Sequence, residues 1–201
     1  MKKYALIITA VLVLIITVLG ISYVVNADNA SSEKLAEDTG AALKEGAQIL
    51  AGDDPSEYAS GQENIVMSIE GMDISDGFYK YKLGLMTSIG YDDPGAAMID
   101  LLKKYAVQWK FAAEKNILPT EEEIAAEVEA NKEAIYEDEN AYASLLSFLK
   151  GAGLTESEYW DIIQTKYEAQ YALAGVKVAE YCKEHDVSEP EWKDADVKLY
   201  D

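Results

Sequence analysis

The sequence predicts a mainly α fold with a small β-hairpin, carried behind an N-terminal transmembrane helix. Three observations predict it. Lys2 and Lys3 precede a run, residues 4–25, without a single charge. Ile65-Val66-Met67-Ser68-Ile69, then Glu70-Gly71, then Met72-Asp73-Ile74 read as strand, turn and returning strand. From Ser75 to Pro190, apolar residues recur at helical spacing between residues that start and stop helices.

A helix over residues 4–25 spans roughly 30 Å, the thickness of the bilayer hydrocarbon. The two lysines favour an N-inside orientation. Residues 4–25 then contact the lipid bilayer, in a single-pass protein of the cytoplasmic membrane whose C-terminal domain is extracytoplasmic. Val25-Asn26-Ala27 also suits a signal cleavage site, which would release a secreted domain. Both readings send the remainder outside the cytoplasm. The chain divides into a membrane segment (1–27), a tether of mixed order (28–63) and a helical domain (64–201). Gly40, Gly46 and Gly52-Asp53-Asp54-Pro55 weaken helical spacing in the tether, where only a short, weak helix is expected.

In the domain, Ser75 is placed to cap a helix over 76–88 whose apolar stripe is Phe78, Tyr81, Leu85 and Met86. Pro94 suits the first turn of a second helix, 94–116. Met98, Leu102, Tyr105, Trp109 and Phe111 give that helix more than one apolar face, as in a central helix. Thr120-Glu121-Glu122-Glu123 is a capping box opening a third, surface helix. Asp138-Glu139-Asn140 begins a fourth, which Gly151 and Gly153 end. A second capping box, Thr155-Glu156-Ser157-Glu158, opens a long helix to Tyr181. Val197 and Leu199 alternate with polar neighbours, as in an edge strand against the hairpin.

Composition bounds the function. The net charge is −20, and all 17 basic residues are lysine. Such a surface repels phosphate backbones, so no nucleic-acid partner is expected. With the single cysteine Cys182, no intramolecular disulfide can form. Cys182 and His185 share a helix face but supply only two of the three or four ligands a zinc ion requires. They read as a packed cysteine and a histidine near a helix C-terminus. Asp92-Asp93 and Asp138-Glu139-Asn140 lack EF-hand spacing and read as caps and loops. The sequence carries no nucleophile elbow, phosphate loop or dinucleotide fingerprint. An enzyme is not expected, nor a metal or cofactor.

The aromatic content points elsewhere. Fourteen tyrosines and three tryptophans outnumber three phenylalanines. Such rings suit surfaces that are apolar yet wet, where proteins hold other chains. Tyr79, Tyr91, Tyr136, Tyr142, Tyr159, Trp160, Tyr167 and Tyr171 are the candidate peptide-binding residues, with core or rim packing as the alternative for each.

The order of these elements resembles the N-terminal domain of SurA-like and PrsA-like extracytoplasmic chaperones. The resemblance rests on the hairpin Ile65–Ser75, on Phe111-Ala112-Ala113-Glu114-Lys115 followed by the break and Thr120-Glu121-Glu122-Glu123, and on Leu145-Leu146-Ser147-Phe148-Leu149-Lys150-Gly151-Ala152-Gly153-Leu154-Thr155. It covers roughly 125 residues and lies in the order of elements, since no single motif is diagnostic. The turn departs from the family's usual Asn-Gly by reading Glu70-Gly71. The resemblance implies a helical, chaperone-like domain binding unfolded or exported polypeptides in a groove. The family's parvulin-type isomerase domain needs on the order of a hundred residues, more than lie between Val187 and Asp201, so binding without catalysis is the implied role. A dedicated partner- or peptide-binding subunit at the cell surface is the alternative use of such a fold.

Overall fold

The computed structural model describes residues 29–52 and 64–200. The predicted membrane segment lies outside the described residues, as does the stretch 53–63 of the expected tether. Among the described residues no helix is long and apolar enough to cross a membrane.

Helix α1 (Asn29–Gly52) leads to strands β1 (Ile65–Ile69) and β2 (Met72–Ser75). Helices α2 (Asp76–Ile89), α3 (Pro94–Glu114), α4 (Glu121–Glu137) and α5 (Glu139–Ala152) follow. A π-helical segment (Glu158–Glu168) continues into α6 (Ala169–His185), and β3 (Val197–Leu199) completes a small antiparallel sheet in the order β2-β1-β3. The described part is thus mainly helical, with the hairpin and the edge strand where the residue pattern places them.

The local signals act as their chemistry dictates. Ser75 caps α2 by accepting from Phe78 N, and Asp93 caps α3 by accepting from Ala96 N with Pro94 in the first turn. Thr120 and Glu123 form the reciprocal capping box of α4. Asp138 caps α5, and Gly153 closes it at φ 70. Thr155 and Glu158 also exchange capping-box bonds, yet the chain beyond them winds as a π-helix. The hairpin turn places Glu70 at φ 51 and Gly71 at φ 86, the left-handed pair of a two-residue connection. A glutamate is uncommon at such a position. Here its carboxylate accepts from Lys110 Nζ at 2.8 Å and from Asp196 N at 3.0 Å, tying the turn to α3 and to the approach to β3. Lys110 and then the Asp196 amide hold the Glu70 carboxyl below its usual range. An asparagine would lack that charge.

One expectation is corrected. Residues 29–52, expected within a tether of mixed order, form a 24-residue helix at the centre of the fold. Ala36, Leu43, Ala47 and Leu50 are buried along one face, and α1 lies between α2 and α5. The glycines that weaken its helical propensity are the reason it packs so closely. A Cβ on Gly46 would strike the backbone nitrogen of Tyr81, and one on Gly84 of α2 would strike the carbonyl of Ala42. The same reciprocity joins α1 to α5: a Cβ on Gly40 would strike the Phe148 carbonyl, and one on Gly151 the Glu37 carbonyl. Each glycine sacrifices up to about 1 kcal/mol of propensity relative to alanine. Each fully buried leucine returns about 1.5–3 kcal/mol. Packing therefore outweighs propensity. Gly151, expected to help stop α5, is inside that helix for the same reason.

Gly46→Ala should destabilise the protein by about 1–3 kcal/mol, because the added methyl meets backbone that cannot yield. Gly52→Ala, with open space around it, should be neutral or slightly stabilising. Urea denaturation midpoints of the two variants compare them directly, and equal shifts would contradict the close approach.

Candidate functional site

Lys82 of α2 is fully buried, with its ammonium 2.6 and 2.8 Å from the carboxylate oxygens of Glu168 at the end of the π-helical segment. Burial works against this charge, but Glu168 and the hydroxyl of Tyr105 outweigh it and hold Lys82 above its ordinary lysine range. The Lys82 nitrogen also lies 5.4 Å from the ring centre of Phe78, 5.7 Å from Tyr81 and 5.3 Å from Tyr105. A desolvated cation gains from such aromatic faces. The Tyr81 hydroxyl is buried there without a hydrogen-bond partner. Burial, with Glu168 second, pushes its ionisation well above the usual tyrosine range.

The π-helical winding shapes this site. Its i→i+5 backbone pattern ends in the bond from Ala169 N to the Gln164 carbonyl, and inside it Gln164 Nε2 donates to Tyr159 Oη at 2.9 Å and Thr165 Oγ1 to the Trp160 carbonyl at 2.8 Å. Such winding is rare and concentrates at functional sites. Here Tyr159, Trp160, Ile163, Gln164 and Glu168 all point inward.

The eight aromatic candidates separate into two clusters and two outliers. In the first cluster, Tyr171 stacks between Phe78 (5.7 Å) and Tyr105 (5.2 Å), Trp109 meets it edge-on at 5.4 Å, and Tyr167 stacks on Phe78 at 5.5 Å. Tyr105, Trp109, Tyr167 and Tyr171 are half-buried, in a strip that runs along α3, the end of the π-helical segment and the start of α6. In the second cluster, Tyr136 meets Tyr142 at 5.1 Å and Trp160 at 6.4 Å, both edge-on. The hydroxyls of Tyr136 and Tyr142 both donate to Glu156, at 2.5 and 3.1 Å. Desolvation, then Glu156, pushes the Tyr136 hydroxyl up to about 12. Exposed Leu146 follows Tyr142 by four residues and extends that patch. Tyr79 is half-buried against the core and Tyr91 is exposed beyond α2.

Tyr159 and Trp160 are corrected from surface candidates to core residues, at 1% and 3% exposure. The π-helical turn carries both adjacent rings inward, where Tyr159 packs edge-on to Phe148 at 5.7 Å and to Trp160 at 4.9 Å. Sequence reasoning missed Lys82, Glu168, Tyr81, Tyr105 and Trp109 as parts of one site. A lysine inside an apolar stripe, as in Tyr81-Lys82-Leu83, was the available signal, but its partner lies 86 residues away.

Elsewhere, Cys182 is buried and its thiol reaches the Ser188 carbonyl at 3.6 Å, while His185 stacks on Tyr181 at 4.0 Å. Among the described residues no group of three or more histidine, cysteine or acidic side chains is arranged to hold a metal ion. A shallow cleft of about 290 Å³ lies between α3 and the segment before β3, with Val107, Phe111 and Ala195 as apolar lining and Glu114, Glu191 and Asp194 as acidic lining.

No family model matches the chain, and no curated protein or solved structure matches it.

Removing one partner of the buried pair strands the other charge. Lys82→Met or Glu168→Leu alone should destabilise by about 3–5 kcal/mol, and the double variant should recover most of that loss. Denaturation curves of the four proteins form the decisive cycle, and simple additivity would contradict a coupled pair. The pair also sets an alkaline limit. Lys82 is raised in the folded protein, so its contribution is complete below the unfolded lysine value, near 10.5, and is lost as pH rises through the higher folded value. Tyr136, raised from 10.0 to about 12, acts in the same direction between those values. Melting temperature should therefore fall above pH 10, and Tyr136→Phe should flatten part of the fall.

Proposed function

We propose that the chain is a membrane-tethered, extracytoplasmic, chaperone-like binding domain that holds unfolded or apolar polypeptide segments without catalysis. The observation that carries this reading is the half-buried aromatic strip of Tyr105, Trp109, Tyr167 and Tyr171, anchored from below by the Lys82–Glu168 pair. Rings with little conformational freedom lose little entropy on binding and offer large apolar faces beside polar edges. Neutralising the buried charges within the fold leaves the strip to contact a client chiefly through apolar area. The charge-free run of residues 4–25, preceded by Lys2 and Lys3, supports the tethered placement. The acidic body supports solubility around such a strip. The order of hairpin and helices supports the reading through its resemblance to SurA-like domains, with Glu70-Gly71 standing where their turn usually reads Asn-Gly.

Binding by apolar contact has a distinct signature. The protein should slow aggregation of a chemically denatured, unrelated protein without ATP, and 0.5 M salt, on the order of several times physiological ionic strength, should weaken the effect little. Trp109→Ser and Tyr167→Ser should reduce protection while helical circular dichroism is retained, and Tyr91→Ser, outside the strip, should not. Light scattering during refolding measures all three. No protection for any of several clients, with tight binding to one native partner, would favour the dedicated-subunit reading.

A further inference from the structure

Helix α3 has a second face, turned away from the aromatic strip. At about 100° per residue, Val107, Lys110, Phe111 and Glu114 lie on the side of the helix opposite Tyr105 and Trp109. That side forms one wall of the shallow cleft, and the segment before β3 forms the other. The cleft's apolar surface comes from Val107, Phe111, Pro190 and Ala195, all half-buried. Its charges are unbalanced. Lys110 is engaged by Glu70 at 2.8 Å. Glu114, Glu191 and Asp194 are exposed, and among the described residues none of their carboxylates makes a hydrogen bond or an ion pair. Four carboxylates against one ammonium leave the lining at −3. Lys115, outside the lining, holds its ammonium over the rings of Phe111, at 5.5 Å, and Tyr181, at 6.0 Å. The Phe111 ring thus already accepts a cation.

Apolar surface bordered by unpaired acids fits a long aliphatic side chain that ends in a cation. Its methylenes cover the apolar residues while its charged head stays beside the carboxylates and water. Size selects a side chain over a free ligand: about 290 Å³ lies at the bottom of the roughly 300–1,000 Å³ of sites that enclose small molecules. Exposed ion pairs alone contribute little, so a free amine would not be retained, whereas a peptide adds contacts on either side of its basic residue. We propose that this cleft is a docking site for a lysine or arginine side chain of a partner polypeptide, held by Glu114, Glu191 and Asp194 over Val107 and Phe111. The site goes beyond the binding role assigned to the aromatic strip and does not rest on it, since the two lie on opposite faces of α3. They also differ in physical character. The strip offers apolar area, which salt affects little, and the cleft offers exposed charge, which salt screens.

Fluorescence polarisation on the full chain tests this, with a short labelled peptide of alternating lysine and glycine as the probe. Glu114→Gln/Glu191→Gln/Asp194→Asn should weaken its binding at least tenfold. The same charge change on the exposed side of α4, Glu129→Gln/Glu133→Gln/Glu137→Gln, should leave binding as in the parent. Equal losses in the two variants would mean diffuse attraction to an acidic surface and would overturn the inference, as would a parent that does not bind. Two altered peptides separate charge from stem. Acetylated lysines keep the stem without the charge and should not bind; diaminopropionate keeps the charge on a short stem and should bind several-fold more weakly. Binding of either at the parent peptide's strength would overturn the inference. Salt at about 1 M, where the screening length is about 3 Å, should release the lysine peptide, and binding unchanged by salt would count against the site. Self-association of the parent that the cleft variant abolishes would assign the cleft to a second copy of the chain and overturn the inference.

Discussion

A lysine with no exposed surface must find an anion, and in this fold it finds one from a distant helix. Lys82 and Glu168 neutralise each other where α2 meets the end of the π-helical segment. An unpaired charge there would be far more destabilising than the pair is stabilising. The pair ties the end of the π-helical segment, which α6 continues, to α2. With α6 placed, Phe78, Tyr105, Trp109, Tyr167 and Tyr171 assemble into one ring cluster, bounded inside by charge and outside by solvent.

The opposite side of α2 is fixed by absence of side chain. Gly84 and Gly46 bring α2 and α1 together, and Gly40 and Gly151 do the same for α1 and α5. Helix α2 is therefore held on one side by backbone-to-backbone contact and on the other by a charge pair. The two devices differ in tolerance. A glycine notch rejects any added carbon, whereas the ion pair rejects only a change in one partner. Together they hold the helix on which part of the aromatic strip is built.

The small antiparallel sheet runs from the core to the surface. Its inner residues Met67, Ile69 and Ile74 belong to the main core, while its outer strand is short and exposed. Glu70 ties the hairpin to α3 through Lys110 and to the residues just before β3 through Asp196. The turn thus links the helical body to the segment that covers the edge of β1.

How much was legible in the residues follows from the range of each interaction. Ser75, Asp93, Thr120 with Glu123, and Asp138 determined where helices begin, because capping acts within three residues. The alternation around Glu70-Gly71 determined the hairpin for the same reason. The aromatic excess identified candidates but could not sort Tyr159 and Trp160 into the core from Tyr167 and Tyr171 at its rim; the π-helical winding did that by rotating the facing set. Propensity alone misread the segment carrying Gly40 and Gly46 as a tether, since the value of those glycines appears only against the backbones of α5 and α2. Lys82 likewise reads as one more lysine until Glu168, remote in sequence, is brought beside it. The sequence by itself therefore determined the helices' starts and the hairpin. Tertiary structure decided which helix is central, which rings face water and which charges are buried, because those properties belong to contacts between segments that no local pattern encodes.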